Sequence, residues 1–131
     1  MNKRDGERKM TEKTAEKFIE ALEKLESDRD LETIVSLHSE DCKIGNVVTD
    51  KSSDAGEFWE TYRKSFDKVS SSFKNKIFAE GHAALEWTTK GTTSDGHDFE
   101  YQGVSILEIK NEKIIRFFAY FDPAELGRQM S

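Results

Sequence analysis

The hydrophobic period of this chain changes once, near Ser70. Before that point apolar residues recur every three or four positions; after it they alternate. Thr11 and Thr14 offer caps, and Ala15, Phe18, Ile19, Leu22 and Leu25 form a stripe that predicts a helix over residues 11–27. Asp30 is a cap for a second, shorter helix carrying Leu31, Ile34, Val35 and Leu37 and ending near His38. A turn and a short strand are expected over residues 39–48, then a polar loop over residues 49–56. Gly56 precedes a third helical pattern, with Phe58, Trp59, Tyr62, Phe66 and Val69 on its apolar side. Beyond Ser70 four strand patterns follow, joined by turns at Glu80-Gly81, Ser94-Asp95-Gly96 and Asn111-Glu112, and Asp122-Pro123 starts a terminal helical turn. Helices first and antiparallel strands second predict an α+β fold.

Charged positions in the strands reveal the solvent side, because successive side chains point to opposite faces. Glu86, Thr88 and Lys90 share one face, so Leu85 and Trp87 look toward the helices. On the next strand Gln102 and Glu108 mark the outer face with Val104 and Ile106, leaving Tyr101, Gly103, Ser105, Leu107 and Ile109 inside. On the last strand, KIIRFFAYF, Arg116 marks the outer side with Ile114, Phe118 and Tyr120, whereas Ile115, Phe117, Ala119 and Phe121 point inward. Val104, Ile106, Ile114, Phe118 and Tyr120 thus form an outer apolar patch, which predicts a homodimer packed sheet to sheet.

The 131 residues suit one core. The net charge of −6 disfavours nucleic acid as a partner, since phosphate binding needs a positive surface. The sequence shows neither an apolar run able to span a bilayer nor a secretory signal, so no membrane association is expected. Cys42 is the single cysteine, which excludes an internal disulfide and makes a reducing cytoplasm the expected location. No His and carboxylate set has metal-ligand spacing, so neither a metal nor another cofactor is expected.

The order of these elements resembles the nuclear-transport-factor-2-like superfamily, and within it the chain is most similar to the SnoaL-like group. The likeness is carried by FIEALEKLESDRDLETIVSLHSEDC, by Gly56, and above all by ALEWTTKGTTSDGHDFEYQGVSILEIKNEKIIRFFAYFD, with its GVSILEI, KII and AYFD phrases. It implies three N-terminal helices packed in the concave face of a strongly curved, mainly antiparallel sheet. It also implies one domain over residues 11–128, flanked by a frayed tail at residues 1–10 and a short one at residues 129–131. Relatives are typically homodimers with a pocket between sheet and helices, and they include cyclases, isomerases, epoxide hydrolases and dehydratases.

The positions where the resemblance would put isomerase chemistry hold Phe18, Asn46 and Ser105; those of the cyclases hold Ala119 and Ser105. Arg116, the one arginine of the sheet strands, faces out, which leaves the epoxide-hydrolase cluster unfilled. What remains is a pocket lined by Phe18, Leu22, Phe58, Tyr62, Trp87, Tyr101, Phe117 and Ala119, with Asn46 and Ser105 adding polarity and no acid or base among them. Such a lining suits a small, flat, mostly apolar ligand. The alternatives are a solid aromatic core, a pure dimerisation module, or an enzyme of the cyclase, isomerase or dehydratase kind using Asn46 and Ser105 as donors and Asp122 as base. Asp122 reads first as a helix cap, His38 as support for a helix end, His82 and His97 as surface residues, and Cys42 as core.

Overall fold

The computed structural model describes residues 3–48 and 54–130. Its elements run α1 (Lys3–Asp28), α2 (Leu31–Ser36), β1 (His38–Asn46), α3 (Ala55–Lys64), β2 (Phe66–Ala79), β3 (His82–Thr93), β4 (Asp98–Lys110), β5 (Lys113–Phe121) and α4 (Pro123–Met130). The five strands form one open sheet in the order β1-β5-β4-β3-β2. Sequential neighbours pair antiparallel, and β1 runs parallel to β5. Most of the polar loop expected over residues 49–56 lies outside the described residues.

The local signals are those the sequence carries. Asp30 caps α2 by accepting from the Thr33 N–H, and Asp54 caps α3 by accepting from the Glu57 N–H at 2.7 Å. Asn111 and Glu112 both adopt positive φ, the mirror-image turn whose twist suits the β4–β5 hairpin. The glycines of β3 and β4 do a different job, since both allow close approach. A Cβ at Gly91 would lie 1.8 Å from the Lys68 carbonyl oxygen, and one at Gly103 would meet the Tyr120 carbonyl and the Trp87 ring.

Three expectations need correction. Helix α1 begins at Lys3, so eight residues read as tail are helical. Helix α3 stops at Lys64, and Phe66 and Val69 belong to β2 instead. Their three-residue spacing mimics a helix because the β2–β3 register shifts between Phe66 and Lys68, bringing two inward side chains three apart. A second irregularity sits on β5: Glu108 pairs with Arg116 and Ile109 with Ile114. The extra residue, Ile115, reverses the alternation, so Ile114 is wholly buried in the core rather than part of the outer patch, and Ile115 is only half-buried. The outer face keeps Val104, Ile106 and Phe118 half-buried and Tyr120 exposed.

Inside, Ala15, Phe18, Leu22 and Leu25 of α1 pack with Ile34, Trp59, Leu85, Leu107, Ile114 and Phe117 in one core. At about 25 cal/mol per Å² of apolar surface removed from water, these contacts set the helices against the concave side of the sheet.

Candidate functional site

The core is hollow at one end. A cavity of about 550 Å³ lies between α1, α3 and the inner faces of β2 to β5, and α4 closes one side through Pro123 and Leu126. All ten side chains expected at a pocket line it. Phe66, Phe73, Trp59 and Phe121 add further rings, and Ser71 and Thr89 add hydroxyls. The rings hold one another in place. Phe117 sits 5.5 Å from Phe18 and 5.1 Å from Trp59, while Tyr101 is bracketed by Trp87 at 5.2 Å and Phe121 at 5.3 Å, both edge-on.

The polar groups at this cavity are mostly engaged. Trp87 Nε1 donates to Ser105 Oγ at 2.9 Å, and Asn46 Oδ1 accepts from the Val48 N–H. Asp122 does not line the cavity. It is exposed, and its Oδ1 accepts from the Ala124 and Glu125 amides at the start of α4. Of the three residues expected to form a catalytic set in the enzyme alternative, Asn46 and Ser105 line the cavity and Asp122 does not.

The residue that sequence reasoning missed is Glu26. It is buried in the last turns of α1, directly behind the cavity wall. Its carboxylate accepts three hydrogen bonds: from Tyr62 Oη at 2.7 Å, from the Ser71 N–H at 3.0 Å and from Ser71 Oγ at 2.6 Å. Because Ser71 gives its proton to Glu26, Thr89 Oγ1 donates to Ser71 Oγ at 2.7 Å, and the whole chain of hydroxyls points toward the carboxylate. The expectation of no acid or base at the pocket is thereby corrected twice: Glu26 stands behind the wall, saturated by donors, and Glu57, exposed in the first turn of α3, is on the lining. The signal for Glu26 was available, since it lies four residues beyond Leu22 and eight beyond Phe18 on the same apolar stripe. Burial first, and the Glu26 charge second, push the hydroxyls of Tyr62 and Tyr101 well above the usual phenol range. Both therefore stay protonated at neutral pH. Tyr62 spends its proton on Glu26; the Tyr101 hydroxyl has no hydrogen-bond partner among the described residues.

Other titratable groups play structural parts. Cys42 is buried, and burial pushes its thiol up to about 11, which keeps it a poor nucleophile. His38 opens β1 and still serves the end of α2, with Nδ1 2.8 Å from the Ile34 carbonyl. Its Nε2 accepts from Trp59 Nε1 at 3.2 Å, which fixes the neutral Nδ1–H tautomer. Burial lowers its pKa from 6.5 to about 4, partly opposed by the Ile34 carbonyl, with Lys113 adding to the lowering. The unfolded chain thus binds the extra proton first as the pH falls. Stability from this group is complete above pH 6.5 and is lost as the pH drops through about 4. Urea denaturation should show the protein losing about 2–3 kcal/mol more between pH 7 and pH 4 than its His38→Gln variant. Equal losses would contradict the neutral buried imidazole.

Residues 15–117 match the SnoaL-like domain family. No curated protein matches the chain. Among solved structures, an NTF2-like protein of unknown function from Burkholderia pseudomallei superposes with a TM-score of 0.78 at 16% identity, covering 93% of this chain and 98% of that one. TerC, co-crystallised with polyporic acid, gives a TM-score of 0.78 at 16% identity, covering 92% and 98%. An LEH-like epoxide hydrolase of M. tuberculosis gives 0.71 at 13% identity, covering 89% of each chain. At such identities the likeness is one of fold. With the family match spanning most of the chain and the α+β architecture agreeing with it, the protein belongs to the SnoaL-like domain family.

Proposed function

We propose that this protein binds a small, flat, mostly apolar molecule in the cavity and does so without the acid/base chemistry of the cyclases and isomerases. The observation that carries this reading is the cavity itself: about 550 Å³, walled mainly by aromatic rings, with its one nearby buried carboxylate saturated by hydrogen bonds. A proton-transfer enzyme needs a base within reach of the substrate. The candidate for that role, Asp122, is occupied as a helix cap, and the carboxylate that does line the cavity, Glu57, is exposed in the first turn of α3, which together weigh against the alternative of a cyclase, isomerase or dehydratase.

Trp59 and Trp87 border the cavity, so ligand entry reports on their fluorescence. Fluorene, a small flat apolar compound, should quench it saturably, with a Kd of about 1–100 μM for a ligand of this size. Ala119 is buried and points into the cavity, so Ala119→Trp should abolish saturable quenching while leaving a cooperative unfolding transition. Linear quenching that is unchanged in Ala119→Trp would count against a binding cavity.

The same family reading favours a homodimer. Val104 pairs across the strands with Tyr120, and Ile106 with Phe118, so the four side chains make one contiguous patch on the sheet's outer face. The Arg116–Glu108 ion pair at 3.4 Å lies beside it. A two-fold axis through that patch would set it against its own copy, as isologous dimers require. Sedimentation at micromolar concentration should give a dimer for the wild type and a monomer for Ile106→Glu/Phe118→Glu; a monomeric wild type would overturn the pairing.

A further inference from the structure

We infer that the ligand of this cavity is a neutral molecule bearing a carbonyl oxygen, which accepts a hydrogen bond from Tyr101, and that carboxylates and other anions are excluded. The inference rests on the binding reading above and gives it a chemical class.

Three observations support it. The first concerns protons. Of the two phenols at the cavity, Tyr62 donates to Glu26, so Tyr101 is the one with a proton left to give. Its hydroxyl is not among the enclosed unpaired polar atoms of the described residues, so it faces the open cavity, where a ligand acceptor can reach it. The second is preorganisation. The Tyr101 ring is fixed by edge-on contacts to Trp87 and Phe121 and by Phe99 at 5.9 Å, so its hydroxyl is held in place before a ligand arrives. Ser105, four residues along the same strand, accepts from Trp87 and keeps its own proton as a second donor. The cavity therefore presents donors to an acceptor.

The third is charge. Among the described residues the lining contains no lysine, arginine or histidine, and its one charged side chain is Glu57. Glu26 adds a carboxylate immediately behind Tyr62 and Ser71. An anion entering this space would meet negative charge with no cation to pair with, in surroundings where water screens poorly. A neutral ketone or quinone keeps the hydrogen bond and avoids the repulsion.

A matched series of flat probes tests this: fluorene, 9-fluorenone and fluorene-9-carboxylate, titrated against tryptophan fluorescence at pH 7. Fluorenone should bind about three- to tenfold more tightly than fluorene, the worth of one net hydrogen bond, and the carboxylate at least tenfold more weakly than fluorenone. Tyr101→Phe should bring the fluorenone-to-fluorene ratio close to one. In the wild-type complex the infrared carbonyl stretch of bound fluorenone should lie below its value in hexane, a reading that does not depend on any variant folding. If fluorene and fluorenone bind equally and the stretch does not move, or if the carboxylate binds best, the carbonyl assignment is wrong while the binding cavity stands. If none of the three binds, both readings fall.

Discussion

A carboxylate buried at the end of a helix is the constraint on which the rest of this structure turns. Removing Glu26 from water costs several kcal/mol, and no ion pair with it is present among the described residues. Its charge is met instead by Tyr62 from α3 and by the backbone and side chain of Ser71 from β2. Hydrogen bonds to a charged group are worth about 1.5–3 kcal/mol each, so the arrangement persists only while α1, α3 and β2 hold these positions together. Three elements distant in sequence are thereby tied at one point, at the polar end of the cavity. Arg63 reinforces the same corner, with its guanidinium donating to the Phe66 carbonyl at 2.9 Å and the Asp67 carbonyl at 3.3 Å. This clamps the end of α3 to the start of β2.

The other end of the site is held by rings rather than by charge. Phe18, Trp59 and Phe117 meet at the junction of α1, α3 and β5, and the neutral His38 anchors the Trp59 indole from behind. Between this apolar end and the Glu26 corner the helices stand off the concave sheet, and the gap is the cavity. Its two ends differ in chemistry: carbon at one, preorganised donors backed by negative charge at the other. That asymmetry would orient a ligand and choose its charge.

Much of the fold was legible because most of the chain agrees with itself at every level. The change of period near Ser70, the Asp30 cap and the Asn111-Glu112 turn each specify the element that forms. The inward positions on β3 and β4 follow from charges on the opposite face, which is why Trp87, Tyr101 and Ser105 line the cavity. Failures cluster where strict alternation breaks. The irregularity beside Ile114 exchanges the facing of Ile114 and Ile115 at the start of β5, and the one near Phe66 gives a strand the spacing of a helix. No single sequence marks where an extra residue enters a strand, because the bulge is decided by pairing across the sheet. Glu26 was overlooked for another reason. A glutamate in a charged helix reads as solvated surface unless its place on the apolar stripe is weighed more heavily than its residue type.

The claim that the Glu26–Tyr62 contact ties the site together is tested most directly by a double-mutant cycle. The wild type, Glu26→Gln, Tyr62→Phe and the double variant would be unfolded in urea at pH 7. The structure predicts that the single effects fail to add, with a coupling of about 1.5 kcal/mol or more, as expected for a buried hydrogen bond to a carboxylate. Effects that add to within about 0.5 kcal/mol would mean that the two residues act independently, and the carboxylate would no longer explain how the cavity is held.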